Sequence, residues 1–74
     1  MEKFINNFAN QLFDQTTDHL SNNTIFRELE DWDSLTAMAV IAMIQDEYGV
    51  KIDESSFRTL FTIGDLYNYV EENK

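Results

Sequence analysis

Seventy-four residues make a single small domain, 1–74, which buries only about 60% of the surface its unfolded chain exposes, too little core to enclose a deep catalytic cleft. Fourteen acidic residues against five basic ones give a net charge of −9, a sign that repels nucleic-acid backbones and anionic membrane surfaces. The absence of Cys excludes disulfides, zinc-thiolate sites and intrinsic thiol chemistry, and no apolar run resembles a signal peptide or a membrane span, so the expectation is a cytoplasmic monomer without enzyme activity.

In residues 2–14, Phe4, Phe8 and Leu12 recur at i, i+4 and i+8, with Ile5 and Phe13 beside them and Asn6, Asn7, Asn10 and Gln11 opposite. This spacing predicts an amphipathic helix. Residues 15–23, QTTDHLSNN, hold cap and turn formers with Leu20 as their one apolar side chain, and read as a long loop. Thr24 is then placed to cap a short turn that directs Ile25, Phe26 and Leu29 inward.

Asp33 is a good N-cap for the helix that follows, and Gly49 is a natural C-terminal stop. Nine of the ten residues in 35–44 are apolar, too many for one buried stripe. Ala37, Ile41, Ile44 and Tyr48 define an expected core face about 100° wide. Leu35, Met38, Ala39 and Ala42 lie on roughly the opposite side, in line with Asp46. An apolar strip rimmed by charge marks a partner site; the competing reading packs Leu35, Met38 and Ala42 beneath the long loop.

Beyond Gly49, Val50 and Ile52 form a short extended link. Asp53 caps a brief helix carrying Phe57, Leu60 and Phe61, and Thr62-Ile63-Gly64-Asp65 has the form of a capping box. The last helix sets Ile63, Leu66, Tyr67 and Val70 at i, i+3, i+4 and i+7. The fold class is therefore all-α: a four-helix bundle of three longer helices and one short one, with a long loop after the first.

Charge is concentrated in residues 28–54, which carry eight acids against Lys51 for a local −7. Such crowding serves solubility or a basic docking partner. The chain's single histidine, His19, sits in the polar loop away from any paired nucleophile, which argues against a hydrolytic triad. A calcium loop also fails, because Leu35 and Thr36 stand where an oxygen ligand and a glycine are needed after Asp31 and Asp33.

Ser34 is the residue that remains. A helix N-terminus offers unpaired N–H groups and the positive end of a dipole, so an anionic group esterified to Ser34 is electrostatically favoured. Asp31 and Asp33 flank Trp32 and could hold a divalent cation beside that serine during phosphoryl transfer. Serine is also common as an ordinary first-turn residue.

Asp33-Ser34-Leu35, preceded by Glu30-Asp31-Trp32 and followed by the apolar helix and Glu47-Tyr48-Gly49-Val50, resembles the signature of acyl carrier proteins. The likeness extends over nearly the whole chain: Phe26 and Leu29 match the anchors before the motif, and Ile52, Thr62-Ile63 and Tyr69-Val70 match the later helices. The resemblance implies that a holo-synthase-type phosphopantetheinyl transferase, using coenzyme A and magnesium, attaches 4′-phosphopantetheine to Ser34. The thiol of that arm would carry acyl groups as thioesters for fatty acid, polyketide-like or other lipid biosynthesis. It further implies that Asp33 holds magnesium transiently during loading. Leu35, Met38 and Ala42 would make apolar docking contacts, and Asp46 and Glu47 would meet basic patches on acyltransferases, ketosynthases or acyl ligases. Ala39 and Gln45 stand where carriers of primary fatty acid synthesis usually have glutamate, and the E-D-W-D-S-L run is more like carriers of specialised pathways. Phe57 stands where many relatives have a smaller residue, which would restrict an internal acyl cavity. The alternatives are a peptidyl or aminoacyl carrier and, in a different class, an unmodified acidic helical adaptor for a basic partner.

Overall fold

The computed structural model describes residues 1–12, 17–30 and 32–74. They form α1 (Glu2–Ala9), a 3₁₀ turn (Phe26–Glu28), α2 (Ser34–Tyr48), α3 (Glu54–Phe57) and α4 (Ile63–Asn73). Among the described residues there is no strand, only an isolated antiparallel bridge between Ile25 and Thr62. The all-α expectation holds.

α1 is shorter than the 2–14 span predicted from periodicity. Its bonding tightens at the end, where the N–H groups of Gln11 and Leu12 donate to Phe8 and Ala9 three residues back, closing the helix in a 3₁₀-like turn. The apolar stripe nevertheless does what its spacing implies: Phe4, Phe8 and Leu12 are all buried. Phe13 and Asp14 lie outside the described residues, as do 15 and 16 of the long loop. Leu20 in the described part of that loop is buried.

α2 runs from its Asp33 cap to Gly49, whose φ of 70° is the left-handed conformation that ends a helix cheaply only for glycine. Its inward face differs from the expected one. Val40, Met43 and Ile44 are buried, whereas Ala37, Ile41 and Tyr48 are half-buried at the margin. The helix is apolar almost all round, so periodicity carried little information about its rotation, and packing against α1 decided it. Tyr48 meets that neighbour directly: its ring lies 5.6 Å from Phe4 and its Oη accepts from Asn7 Nδ2 at 3.0 Å.

Two further expectations are corrected. Thr24 does not cap the 3₁₀ turn; its Oγ1 accepts from the Ser21 N–H at 2.9 Å, a local turn within S-N-N-T, and Ile25 holds the cap position without a side-chain bond. Ile25, read as inward, is 42% exposed, because in the extended bridge to Thr62 it points to the side opposite its buried neighbour Phe26.

The Asp53 cap forms, its Oδ1 accepting from Ser56 N–H at 2.7 Å. The capping box also forms: Thr62 Oγ1 accepts from Asp65 N–H at 3.0 Å while Asp65 Oδ2 accepts from Thr62 N–H at 3.1 Å. α4 buries Ile63, Leu66 and Val70 against the core. Gly64 is required by proximity: its N–H donates to Asn22 O at 2.9 Å, and a Cβ there would stand 2.8 Å from that same oxygen.

Candidate functional site

The site is built at the start of α2. Asp33 adopts an extended conformation (φ −150°, ψ −175°) and its Oδ1 accepts from the Thr36 N–H at 2.8 Å and from the Thr36 hydroxyl at 2.9 Å. The Thr36 N–H, its hydroxyl and, more weakly, the Leu35 N–H hold the Asp33 carboxyl below its ordinary value against a small opposing effect of burial. Asp33 is thus ionised at neutral pH. Ser34 is the first residue of the helix and is exposed, so its hydroxyl projects at the positive end of fifteen aligned peptide units.

What fixes that entrance is Trp32. Its indole is stacked between Phe8 (6.0 Å, 6° between planes) and Phe57 (6.4 Å, 14°), and tilts onto Phe26 at 5.0 Å. The backbone N–H of Trp32 donates to Leu29 O at 3.0 Å, closing the turn before the cap. One side chain therefore ties α1, the 3₁₀ turn and α3 to the residue two before Ser34. The motif contains Trp32, but this convergence is a tertiary property with no sequence signal beyond the aromatic residue itself.

An open groove of about 570 Å³ runs beside Ser34. It is lined by Ser34, Ala37, Met38 and Ile41 from α2, by Phe57 and Arg58 at the end of α3, and by Arg27 and Trp32. Arg27 is held from two directions. Its guanidinium donates to the carbonyls of Leu60 and, at 2.6 Å, Phe57, and it lies 4.8, 5.1 and 5.7 Å from the ring centres of Phe26, Phe57 and Phe61, a cation–π arrangement. Sequence reasoning missed Arg27; its partners are thirty or more residues away.

Of the expected docking residues, Leu35 is 75% and Met38 66% exposed, and Ala42, Asp46 and Glu47 are exposed as well. The reading that packs Leu35, Met38 and Ala42 beneath the loop is overturned. Leu35, Met38, Ala42 and Asp46 fall at i, i+3, i+7 and i+11, one side of the helix, with Glu47 adjacent. Asp31 lies outside the described residues, and among the described residues no cluster of three or more His, Cys, Asp or Glu is gathered to hold a metal. His19 is exposed in the loop.

A family model described as the phosphopantetheine attachment site matches residues 6–70. The chain belongs to the acyl carrier proteins of the phosphopantetheine-binding family. Acyl carrier proteins of Shigella flexneri and Shigella dysenteriae are each 39% identical over 54 residues, covering 73% of this chain and 69% of theirs. The acyl carrier protein of Lactobacillus acidophilus is 27% identical over 62 residues, 84% of this chain and 78% of its own. Members of this family carry a covalently attached 4′-phosphopantetheine and catalyse nothing themselves, so the chain is a carrier that hands acyl groups to transferases and biosynthetic enzymes.

The residues present fit that prosthetic group. Attachment needs an accessible hydroxyl, and Ser34 supplies one at a helix N-terminus that favours a phosphate. The arm needs apolar surface nearby, and Ala37, Met38, Ile41 and Phe57 line the adjoining groove. No helix among the described residues is long and apolar enough to cross a membrane.

Proposed function

We propose that Ser34 is the attachment residue of a cytoplasmic, single-domain carrier, 1–74, acting as a monomer. The observation that carries this is the placement of Ser34: exposed, first in α2, beside the groove and pinned by the Trp32 stack. In loading, Ser34 Oγ forms an ester bond to phosphorus as the diphosphate linkage of coenzyme A breaks and adenosine 3′,5′-bisphosphate leaves, and the hydroxyl proton passes to a base of the transferase. Asp33, whose Oδ1 caps α2, would offer its other carboxylate oxygen to magnesium brought with a holo-synthase-type phosphopantetheinyl transferase, and Asp31 would be a second candidate ligand by its place in the sequence. Once attached, the arm supplies a thiol that a Cys-free chain lacks, so acyl groups have one sulfur to occupy.

Docking divides between two kinds of contact. Leu35, Met38 and Ala42 offer apolar area, while Asp46 and Glu47 attract basic patches on acyltransferases, ketosynthases or acyl ligases and mainly set encounter rate and orientation. The family match weighs against the unmodified adaptor, and the names of the relatives favour acyl over peptidyl cargo. Ala39 and Gln45, neutral on a helix otherwise ready to meet basic partners, support service in a specialised pathway of lipid or polyketide-like assembly.

The test is incubation with coenzyme A, magnesium and a broad-specificity transferase, read by intact mass. One phosphopantetheine should add to the native chain and none to Ser34→Ala; addition to Ser34→Ala contradicts the assignment.

A further inference from the structure

We infer that Arg27 selects the cargo, and that the acyl group it favours ends in a carboxylate. This rests on Ser34 being the attachment residue. The groove beside Ser34 carries four charged side chains, and three are already engaged. Glu54 and Arg58 pair with each other at 2.6 Å, and Asp33 caps α2. Arg27 has no carboxylate partner among the described residues; its contacts are two neutral carbonyls and three aromatic faces.

A guanidinium has five N–H donors in a planar fork suited to a carboxylate, more than two carbonyls use. Half-buried among rings, it acts on the groove through a medium less screening than water. Arg27 and Arg58 balance Asp33 and Glu54 in the groove, so the chain's net −9 lies outside it. An anionic oxygen group on the arm is therefore less opposed in the groove, beside Arg27, than over the rest of the surface on average.

Two such groups exist, the phosphodiester and an acid at the end of the cargo. Geometry favours the second. The phosphodiester is tied to Ser34 on the α2 wall, while Arg27 is bound to the end of α3 and the turn after it through Phe57 and Leu60. Between these walls Ala37, Met38, Ile41 and Phe57 give a methylene chain apolar surface to lie on. An acyl chain lying on that lining shares the groove with the Arg27 guanidinium.

The test loads the protein with a matched pair, hexanoyl and adipoyl, transferred as acyl-phosphopantetheine from the coenzyme A thioesters. Intact mass is read first: no gain at Ser34 ends the carrier reading and this inference with it, whereas a gain leaves the inference to stand or fall alone. Thioester cleavage by hydroxylamine then reports shielding of the cargo. Adipoyl should be cleaved roughly tenfold more slowly on the native protein than on Arg27→Gln, the effect of one charge-assisted hydrogen bond, while hexanoyl differs by less than about twofold. Equal loss of shielding for both acyl groups makes Arg27 a spacer of the groove and overturns the cargo assignment, as does no loss for adipoyl. In the native protein the Arg27 Nε–Hε resonance should move on adipoylation and stay in place with hexanoyl, a comparison that decides the matter if Arg27→Gln does not fold. A resonance that moves on arm attachment and no further with adipoyl assigns the anion to the phosphodiester and refutes the proposal.

Discussion

Replacing Trp32 by alanine tests whether the aromatic stack holds the modification site in place. The indole contacts Phe8, Phe26 and Phe57 at ring separations of 6.0, 5.0 and 6.4 Å, and each such pair is worth about 0.5–1.5 kcal/mol beyond its buried area. Trp32 is half-buried, so Trp32→Ala should fall near the lower end of the large-to-small range for aromatic residues, about 3 kcal/mol. A chain of this length has roughly 4–11 kcal/mol in all, and the variant should therefore remain folded but with a much lower melting temperature. Urea denaturation followed by circular dichroism is the assay, since the substitution removes the chain's only tryptophan. Trp32→Phe should recover more than half the loss. The link to function is a parallel measurement of loading in dilute urea-free buffer, where the folded fraction of Trp32→Ala should accept the arm more slowly in kcat than in KM, because the entrance of α2 is no longer fixed. A loss below about 1 kcal/mol, or loading kinetics identical to native, would refute the reasoning.

Other expectations follow from the same structure. Leu35→Ala and Met38→Ala, both at highly exposed positions, should leave stability within about 0.5 kcal/mol yet weaken loading by a transferase roughly tenfold in apparent KM; a stability loss with unchanged KM places them in the core instead. Gly64→Ala sets a Cβ 2.8 Å from Asn22 O and should cost about 1–3 kcal/mol in a urea melt, with no change meaning that this junction is looser than described. Asp65 is held below its ordinary value by the Phe61 N–H first and the Thr62 N–H next, so its folded form gives up its proton more readily than the unfolded chain. Its contribution is present above the ordinary carboxylate range and lost as pH falls through the lowered value. The melting-temperature gap between native protein and Asp65→Asn should therefore be full above the ordinary carboxylate range and close as pH falls below it; a gap that widens on acidification has the wrong sign.

Much of this fold could be read along the chain because its signals are local. Phe4, Phe8 and Leu12 announced their face by spacing, and Asp33, Asp53 and the Thr62–Asp65 box announced three helix starts that all form. Ser34 was legible for the same reason, since a serine behind a capping aspartate and ahead of an apolar run is a local pattern. The rotation of α2 was not, because Val40 and Met43 differ from Leu35 and Met38 in surroundings rather than in chemistry. Thr24 failed because two short-range patterns compete in S-N-N-T and the bond to Ser21 prevails. Arg27 was illegible in principle: its meaning lies in carbonyls and rings brought to it by the packing of α3 and the segment after it.

The most direct test of the account is a peptide map of the loaded native protein. Cleavage after Arg27 and Lys51 isolates residues 28–51, which contain Ser34. The added phosphopantetheine should appear in that fragment and fragment further to Ser34 itself. An arm found on another residue, or no arm after exposure to an active transferase and coenzyme A, would contradict it.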